Sequence, residues 1–282
     1  MTLLVKTERK IDSEPCLATW SEKLIVGTDN GFINTYDEHL NPSSSWMAHG
    51  VQLFALAASE GKVYSASNDG GVRVWTSAGD KISELPPPDG DIGSLCVFGK
   101  LLYAGDELGN VSVCFEDTNL KAKYNVLEEV KDLEISPPFM FTARDLYVTV
   151  TEIKPDVSKD RFVTQHVMEG RAPLRISGSK LVVTGRGGNN IQLHELSLEK
   201  KFNKLHEVKV SDMILTSLAV VGNMVWTGGW DGCMRRWKID QDKLHPDGEI
   251  NLGTCINSLV ATTEANAYAL LSDKRIVNVV AK

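Results

Sequence analysis

Apolar residues in this chain come in short runs bounded by glycine, aspartate, asparagine and serine. A clear example is Val225-Trp226-Thr227-Gly228-Gly229-Trp230-Asp231-Gly232-Cys233-Met234-Arg235-Arg236-Trp237. Two-residue alternation on either side of an Asp-Gly pair predicts a β-hairpin, because glycine accepts the positive φ that a tight turn needs. The same reading gives three successive strands, a, b and c, over Ile214–Val221, Met224–Gly228 and Cys233–Ile239. Nowhere does a long helical period develop. Val126, Val130 and Leu133 share one helical face, but the repeat register makes that stretch the approach to a strand.

The hairpin recurs. Val63-Tyr64-Ser65-Ala66-Ser67-Asn68-Asp69-Gly70-Gly71-Val72-Arg73-Val74-Trp75 carries the same Asp-Gly-x-apolar-Arg-x-Trp pattern in the same register. Gly31, in Asn30-Gly31-Phe32-Ile33, and Gly109, in Leu108-Gly109-Asn110-Val111, mark two further copies. Gly31, Gly70 and Gly109 are 39 residues apart, and the 123 residues from Gly109 to Gly232 hold three repeats of 41. Two weaker copies fill that gap: Thr142-Ala143-Arg144-Asp145-Leu146-Tyr147-Val148, with Leu146 in the glycine's place, and Thr184-Gly185-Arg186-Gly187-Gly188-Asn189-Asn190-Ile191. A seventh is Leu271-Ser272-Asp273-Lys274-Arg275-Ile276-Val277. Such a period marks supersecondary units that bury their apolar faces against their neighbours.

The seventh unit shows only three strands before Lys282, while Thr2–Ile11 precede the first unit without a unit of their own. This segment is expected to supply the missing outer strand of the last unit, 255–282. The seven units would then close as one domain over residues 1–282, with no sheet edge left open at the junction.

Composition narrows the class. The 282 residues are 42% hydrophobic and 24% charged, with a net charge of -7, which describes a globular chain able to bury a core. The acidic balance speaks against nucleic acid as the main ligand. No run approaches the ~18 apolar residues of a membrane span. Met1-Thr2-Leu3-Leu4-Val5-Lys6 lacks the apolar stretch of a secretory signal, and no prenylation cysteine closes the chain. Cys16, Cys96, Cys114, Cys233 and Cys255 are odd in number and never at C-x-x-C spacing, so they read as reduced strand residues of a cytosolic or nuclear protein. Asn110-Val111-Ser112 matches a glycosylation sequon but falls in a predicted strand.

With Ser67-Asn68-Asp69-Gly70-Gly71-Val72-Arg73-Val74-Trp75, Gly229-Trp230-Asp231-Gly232-Cys233-Met234-Arg235-Arg236-Trp237 and Ala48-His49 ahead of the second unit, the chain resembles the WD-repeat β-propeller family over its full length. The resemblance is strong in units two and six and weak in four, five and seven. It implies an all-β, seven-bladed propeller of four-stranded antiparallel blades. The departures are plain: the Gly-His pair of the family appears once, as Ala48-His49, and its Trp-Asp strand ending reads Trp75-Thr76 and Trp237-Lys238. A His–Asp network typical of such blades is therefore expected at most in unit two, through His49 and Asp69.

Catalytic chemistry finds little support. His39, His49, His166, His194, His206 and His245 fall at different points of the repeat, and His49 reads as structural. No Gly-x-Ser-x-Gly, His-Glu-x-x-His or Walker-type loop occurs. The glycine-rich Thr184–Asn190 stretch has no helix after it to hold a phosphate, and reads as a b–c turn. Asp89-Gly90-Asp91 offers too few ligands for calcium and reads as a solvated inter-blade loop. Pro86-Pro87-Pro88 reads as an extended edge to blade two, with a ligand for a proline-binding domain as the alternative. Neither metal nor cofactor is expected. Two motifs of family subclasses are also missing: no Arg follows two residues after the strand endings at Tyr36, Trp75 or Trp237, as in cullin ligase receptors, and Met234-Arg235-Arg236-Trp237 is a poor match to the Phe-Arg-Arg-Gly of phosphoinositide binders.

The resemblance implies a ligand face at the end of the ring bearing the b–c turns and the loops entering strand a. The residue before the turn aspartate is Asp29, Asn68, Glu107, Arg144, Gly187, Trp230 and Ser272 in units one to seven. Asp29, Asp106 and Glu107 suggest an acidic arc on blades one and three, facing a basic arc of Arg144, Arg171 and Arg186 on blades four and five. Trp230 is either an interface anchor or a packing residue on a neighbouring loop. Trp75, Trp226 and Trp237 read as core, and Trp46 is left open. The expected function is a non-catalytic protein–protein interaction platform binding a partner peptide or loop on this face. A substrate-recognition module of a ubiquitin ligase is the alternative, and a propeller enzyme the third reading.

Overall fold

The computed structural model describes residues 1–85, 89–115, 119–154 and 161–282. Pro86-Pro87-Pro88, and the readings placed on them, lie outside the described residues. Among the described residues there is no helix, and the strands form seven antiparallel four-stranded sheets, the blades. Each contains four strands consecutive in the chain, a to d from the centre outward, except the last. The inner strands are Pro15–Ser21, Leu53–Ser59, Ile92–Phe98, Asp132–Ser136, Arg171–Ser177, Leu215–Val221 and Ile256–Thr263. Each touches the next, and Ile256–Thr263 returns to Pro15–Ser21, so the blades close a seven-bladed β-propeller.

Closure is a sheet event. Leu3–Lys10 is the outer strand of blade seven, paired antiparallel with Arg275–Ala281 from Leu3 opposite Ala281 to Lys10 opposite Arg275. Thr2 and Lys282 exchange both backbone hydrogen bonds at 3.0 Å. The expected N-terminal contribution is therefore present in the ladder.

The core is divided rather than central. Seven apolar clusters fill the seven inter-blade interfaces. Leu24, Val26 and Tyr36 of blade one meet Tyr268, Leu270 and Ile276 of blade seven, and Phe141, Val148 and Val150 of blade four meet Leu174, Leu181 and Phe202 of blade five. Trp75, Trp226 and Trp237 are buried strand residues, as expected. Trp46 packs on the core between blades one and two, its ring 6.2 Å from Trp75. Burying one such side chain is worth roughly 1.5–3 kcal/mol, so each interface is a substantial stabilising unit.

Turn chemistry sets the repeat. In blades one, three, six and seven three residues separate strands b and c, and the third has positive φ: Gly31 at 82°, Gly109 at 83°, Gly232 at 72° and Lys274 at 69°. At Gly31 a Cβ would lie 2.1 Å from the His49 carbonyl oxygen, so close approach demands glycine as much as φ does. Blade four differs. Arg144 N–H donates to the Tyr147 carbonyl at 3.0 Å, making a shorter turn in which Leu146 does not take a left-handed backbone. Leu146 still fills the glycine's place in one respect: its carbonyl accepts the Gly170 N–H at 3.0 Å, as that of Gly31 accepts Ala48 N–H at 2.9 Å. In blade five Gly188 N–H donates to the Gly185 carbonyl at 2.8 Å, as Gly232 N–H does to Gly229 at 3.2 Å. Arg186, not Gly187, therefore occupies the position of Trp230. An extra residue, Asn189, shifts the register.

The His–Asp network forms in blade two. Asp69 Oδ1 lies 2.5 Å from His49 Nδ1, His49 Nε2 lies 2.9 Å from Ser65 Oγ, and Trp75 Nε1–H donates to Ser65 Oγ at 2.9 Å. A carboxylate can only accept, which assigns the proton to Nδ1 and makes Nε2 the acceptor of the Ser65 hydroxyl. Burial lowers the His49 pKa against the pull of Asp69. Burial alone would raise Asp69, but Gly50 N–H, His49 and Arg73 outweigh it and hold the carboxyl below its ordinary value. Blade six keeps the frame without histidine: Trp237 Nε1–H donates to Thr227 Oγ1 at 3.1 Å, and Ser211 donates to Asp231 Oδ2 at 2.8 Å.

Candidate peptide-binding face

The b–c turns and the loops entering strand a share one end of the ring. The first turn residue is held to the loop beside it: Asp29 N–H to the Glu14 carbonyl, Glu107 to Asp91, Trp230 to Ile214 and Ser272 to Cys255, each at 3.0 Å. These bonds fix where the side chains emerge. Asp29, Asn68, Glu107, Arg186, Gly187 and Trp230 are exposed, while Arg144, Arg171 and Ser272 are half-buried.

A second set of positions was hidden in the sequence. In blades one, two, three, six and seven the a–b ladder skips one inner-strand residue near this face: Cys16, Phe54, Gly93, Thr216 and Asn257. In blade five the skip takes Ala172 and Pro173. A bulge re-aims the extra residue out of the ladder, here at the mouth of the central opening. Their chemical types have nothing in common, so no sequence signal finds them.

Trp230 is 58% exposed, and Met213, in the loop entering blade six, is 52% exposed. Both line an open groove of about 700 Å³ with Val210 and Arg235. Arg235 is held by Asp231 at 2.7 Å and Glu249 at 2.5 Å, so this groove has an apolar wall and a compensated floor.

Of the three arginines read as a basic arc, two meet at one ring. Arg144 and Arg186 lie 5.5 and 5.7 Å from the Tyr147 ring centroid. Arg171 Nη1 is 3.3 Å from where a Cβ on Gly188 would sit. The arc's charge, however, is answered locally. Arg144 is 17% exposed and bonds Glu128 at 2.6 Å, Arg186 reaches Glu169 at 3.4 Å, and Lys131 bonds Asp145 at 2.5 Å. Among the described residues the Arg171 side chain has no hydrogen bond or ion pair, although, beside the Lys131 hydrogen bond, its charge helps to lower the Asp145 pKa. On the other side Asp106 caps its own turn, accepting Asn110 N–H at 2.7 Å, whereas among the described residues Asp29 and Glu107 have no cation partner.

Elsewhere the chemistry is structural. His194 is buried between the Phe202 carbonyl at 2.9 Å and Gln192 at 3.2 Å. All five cysteines are free. Burial pushes the thiols of Cys16 and Cys114 up, to about 12 and about 11, which leaves them protonated and poor nucleophiles. Asp89 bonds Lys123 at 2.5 Å, and among the described residues no three His, Cys, Asp or Glu side chains gather as metal ligands. Lys200 and Lys201 fall in the turn before the outer strand Lys204–Lys209 of blade five, at the opposite end of the ring. That end carries its own groove of about 920 Å³, where Trp20 stacks on Tyr268 at 5.5 Å. No helix among the described residues is long and apolar enough to cross a membrane.

No family model matches the chain. Two curated proteins of Arabidopsis thaliana, type I inositol polyphosphate 5-phosphatase 13 and type II inositol polyphosphate 5-phosphatase 14, are 36% and 35% identical over 60 residues. That stretch is 21% of this chain and only 5% of either relative. Among solved structures, U3-55K superposes with a TM-score of 0.82 at 14% identity, covering 99% of this chain and 98% of its own. The computationally designed Ika8 protein gives 0.75 at 16% identity, covering 97% and 98%. These likenesses show the fold alone; the seven four-stranded sheets and their closed ring make the protein a seven-bladed β-propeller.

Proposed function

We propose that this propeller is a WD-repeat-type, non-catalytic interaction platform of the cytosol or nucleus, gripping a peptide or loop of a protein partner on its b–c face. The observation that carries the reading is Trp230. A tryptophan has no role in a turn that needs only a glycine two residues later, yet here a rigid hairpin holds it more than half exposed beside Met213. Aromatic side chains on rigid supports supply much of the energy of protein interfaces. Five free cysteines fit a reducing compartment.

The test is affinity purification with mass spectrometry, comparing the intact chain with Trp230→Ala, Arg171→Glu and Lys200→Glu. Arg171 is the charge to reverse, because Arg144 is tied to Glu128. The first two variants are expected to lose a stoichiometric partner, with loss of a central anchor costing about 2 kcal/mol or more. Lys200→Glu, at the far end of the ring, should retain it. Full retention by Trp230→Ala and Arg171→Glu would move the interface off this face, and a cullin among the partners would favour the ligase-receptor reading.

A further inference from the structure

On blades one to three the b–c face displays apolar side chains that the fold does not require. Val51 is 47% exposed, Phe54 44% and Leu108 53%. Val51 lies in the loop over the blade-one turn, its carbonyl oxygen 2.7 Å from where a Cβ on Gly31 would sit. Phe54 is the bulged residue of the blade-two inner strand, and Leu108 is the middle residue of the blade-three turn.

This strip is bounded by two pairs of carboxylates. On one side Asp29 Oδ1 accepts Glu14 N–H at 3.1 Å, and Glu14 Oε1 accepts Asn257 Nδ2–H at 2.8 Å. On the other, the exposed Asp91 and Glu107 are joined through their backbones at 3.0 Å. Among the described residues none of these four carboxylates has an ion-pair partner. Arg73, the nearby cation of blade two, is occupied by the Ala48 carbonyl at 2.6 Å and by Asp69 at 3.3 Å.

We infer that this surface docks a protein segment carrying Lys or Arg on both sides of an apolar stretch. Four unanswered carboxylates repel nucleic acid and anionic lipid, and exposed apolar side chains between them offer area to a peptide rather than to an ion. Flanking opposite charges set the register of the bound segment and speed its encounter. The inference deepens the platform reading and rests on it, but it places the specificity on blades one to three rather than at Trp230.

The test is to pan a random dodecapeptide library against the immobilised full chain and measure the selected peptides by fluorescence anisotropy. The expected selection has basic residues flanking apolar ones. Asp91→Lys with Glu107→Lys, whose carboxylates hold no other described residue, should weaken these peptides by at least about tenfold, and added salt should weaken them too. Asp29→Asn, which keeps an acceptor for Glu14 N–H, should weaken them less. A melting curve checks that each variant is folded. Neutral or acidic selections, or equal binding by the reversed variant, overturn the inference. If Trp230→Ala abolishes such peptides instead, the platform reading survives without it, and a panning that enriches nothing overturns both.

Discussion

Replacing Ser65 with alanine removes one hydroxyl from a wholly buried site, and the structure says what that should cost. Ser65 Oγ accepts the Trp75 indole N–H and lies against His49 Nε2, each at 2.9 Å, and both partners are buried. The substitution strands a donor and an acceptor. A buried polar group left without its partner costs about 1–3 kcal/mol, so the two together predict roughly 2–5 kcal/mol once some relaxation is allowed. Blade six provides the internal comparison. Thr227 Oγ1 accepts the Trp237 N–H, but Ser211 rather than a histidine faces Asp231. The near-isosteric Thr227→Val therefore strands one group and should cost about 1–3 kcal/mol. Urea denaturation followed by tryptophan fluorescence and circular dichroism measures both. A loss for Ser65→Ala below about 0.5 kcal/mol, or a larger loss for Thr227→Val, would refute the accounting of buried partners.

Removing residues 1–11 takes away the outer strand of blade seven together with the Arg9 Nε–H bond to the Leu40 carbonyl at 2.5 Å, and is expected to lower the melting temperature of the whole propeller. Equal melting would show that the blade-one to blade-seven interface alone closes the ring. Acid should destabilise through His49 and Asp69. Both have folded pKa values below their ordinary 6.5 and 3.8, so the unfolded chain gains protons first and stability falls as pH drops through those values. Glu134 acts in the opposite sense. Burial beside the Asp132–Arg175 pair raises its pKa from 4.5 to about 7, although Arg175 opposes this, so the native state takes up a proton between those values and gains stability on acidification. Glu134→Gln should therefore raise the melting temperature at pH 8 and steepen its fall towards pH 5.5; identical pH profiles would contradict the assignment.

The repeat was readable because a turn's demands are local. A glycine just before an alternating run marks a left-handed residue whatever the blade packs against, and Gly31, Gly109 and Gly232 are found in that conformation, while Gly70 in blade two is nearly extended at φ 156°. The same ruler erred where one residue was inserted, setting Gly187 in the position that Arg186 holds. The candidate face was only half legible. Which residues stand at the rim follows from the register, but which rim charges are free depends on partners from other loops. Arg144 looked available until Glu128, 16 residues earlier, proved to hold it, and the acidic arc kept its charge because none of the described residues brings Asp29 or Glu107 a cation. The inner-strand bulges left no residue signature, so Phe54 could not be foreseen.

The buried network of blade two reaches the surface it underlies. From Trp75 the hydrogen bonds run through Ser65 and His49 to Asp69, and Asp69 Oδ2 accepts the Gly50 N–H at 2.6 Å. On the far side of Val51, the Ser67 hydroxyl donates to the Gln52 carbonyl at 2.5 Å. The loop that displays Val51 is thus pinned at both neighbours, one of them by the only histidine–aspartate pair in any turn of the described blades. Fixing a loop in its binding conformation lowers the ordering cost of association, so the network should support affinity as well as stability. Ser65→Ala, which touches no exposed atom, is then expected to speed amide hydrogen exchange at residues 50–52 and to weaken peptides that dock over blades one to three. Thr227→Val, in blade six, should leave those amides and that binding unchanged. Unaltered exchange at 50–52 in a folded Ser65→Ala variant would show that the loop is held by Ser67 and its own packing, and that the network serves the core alone.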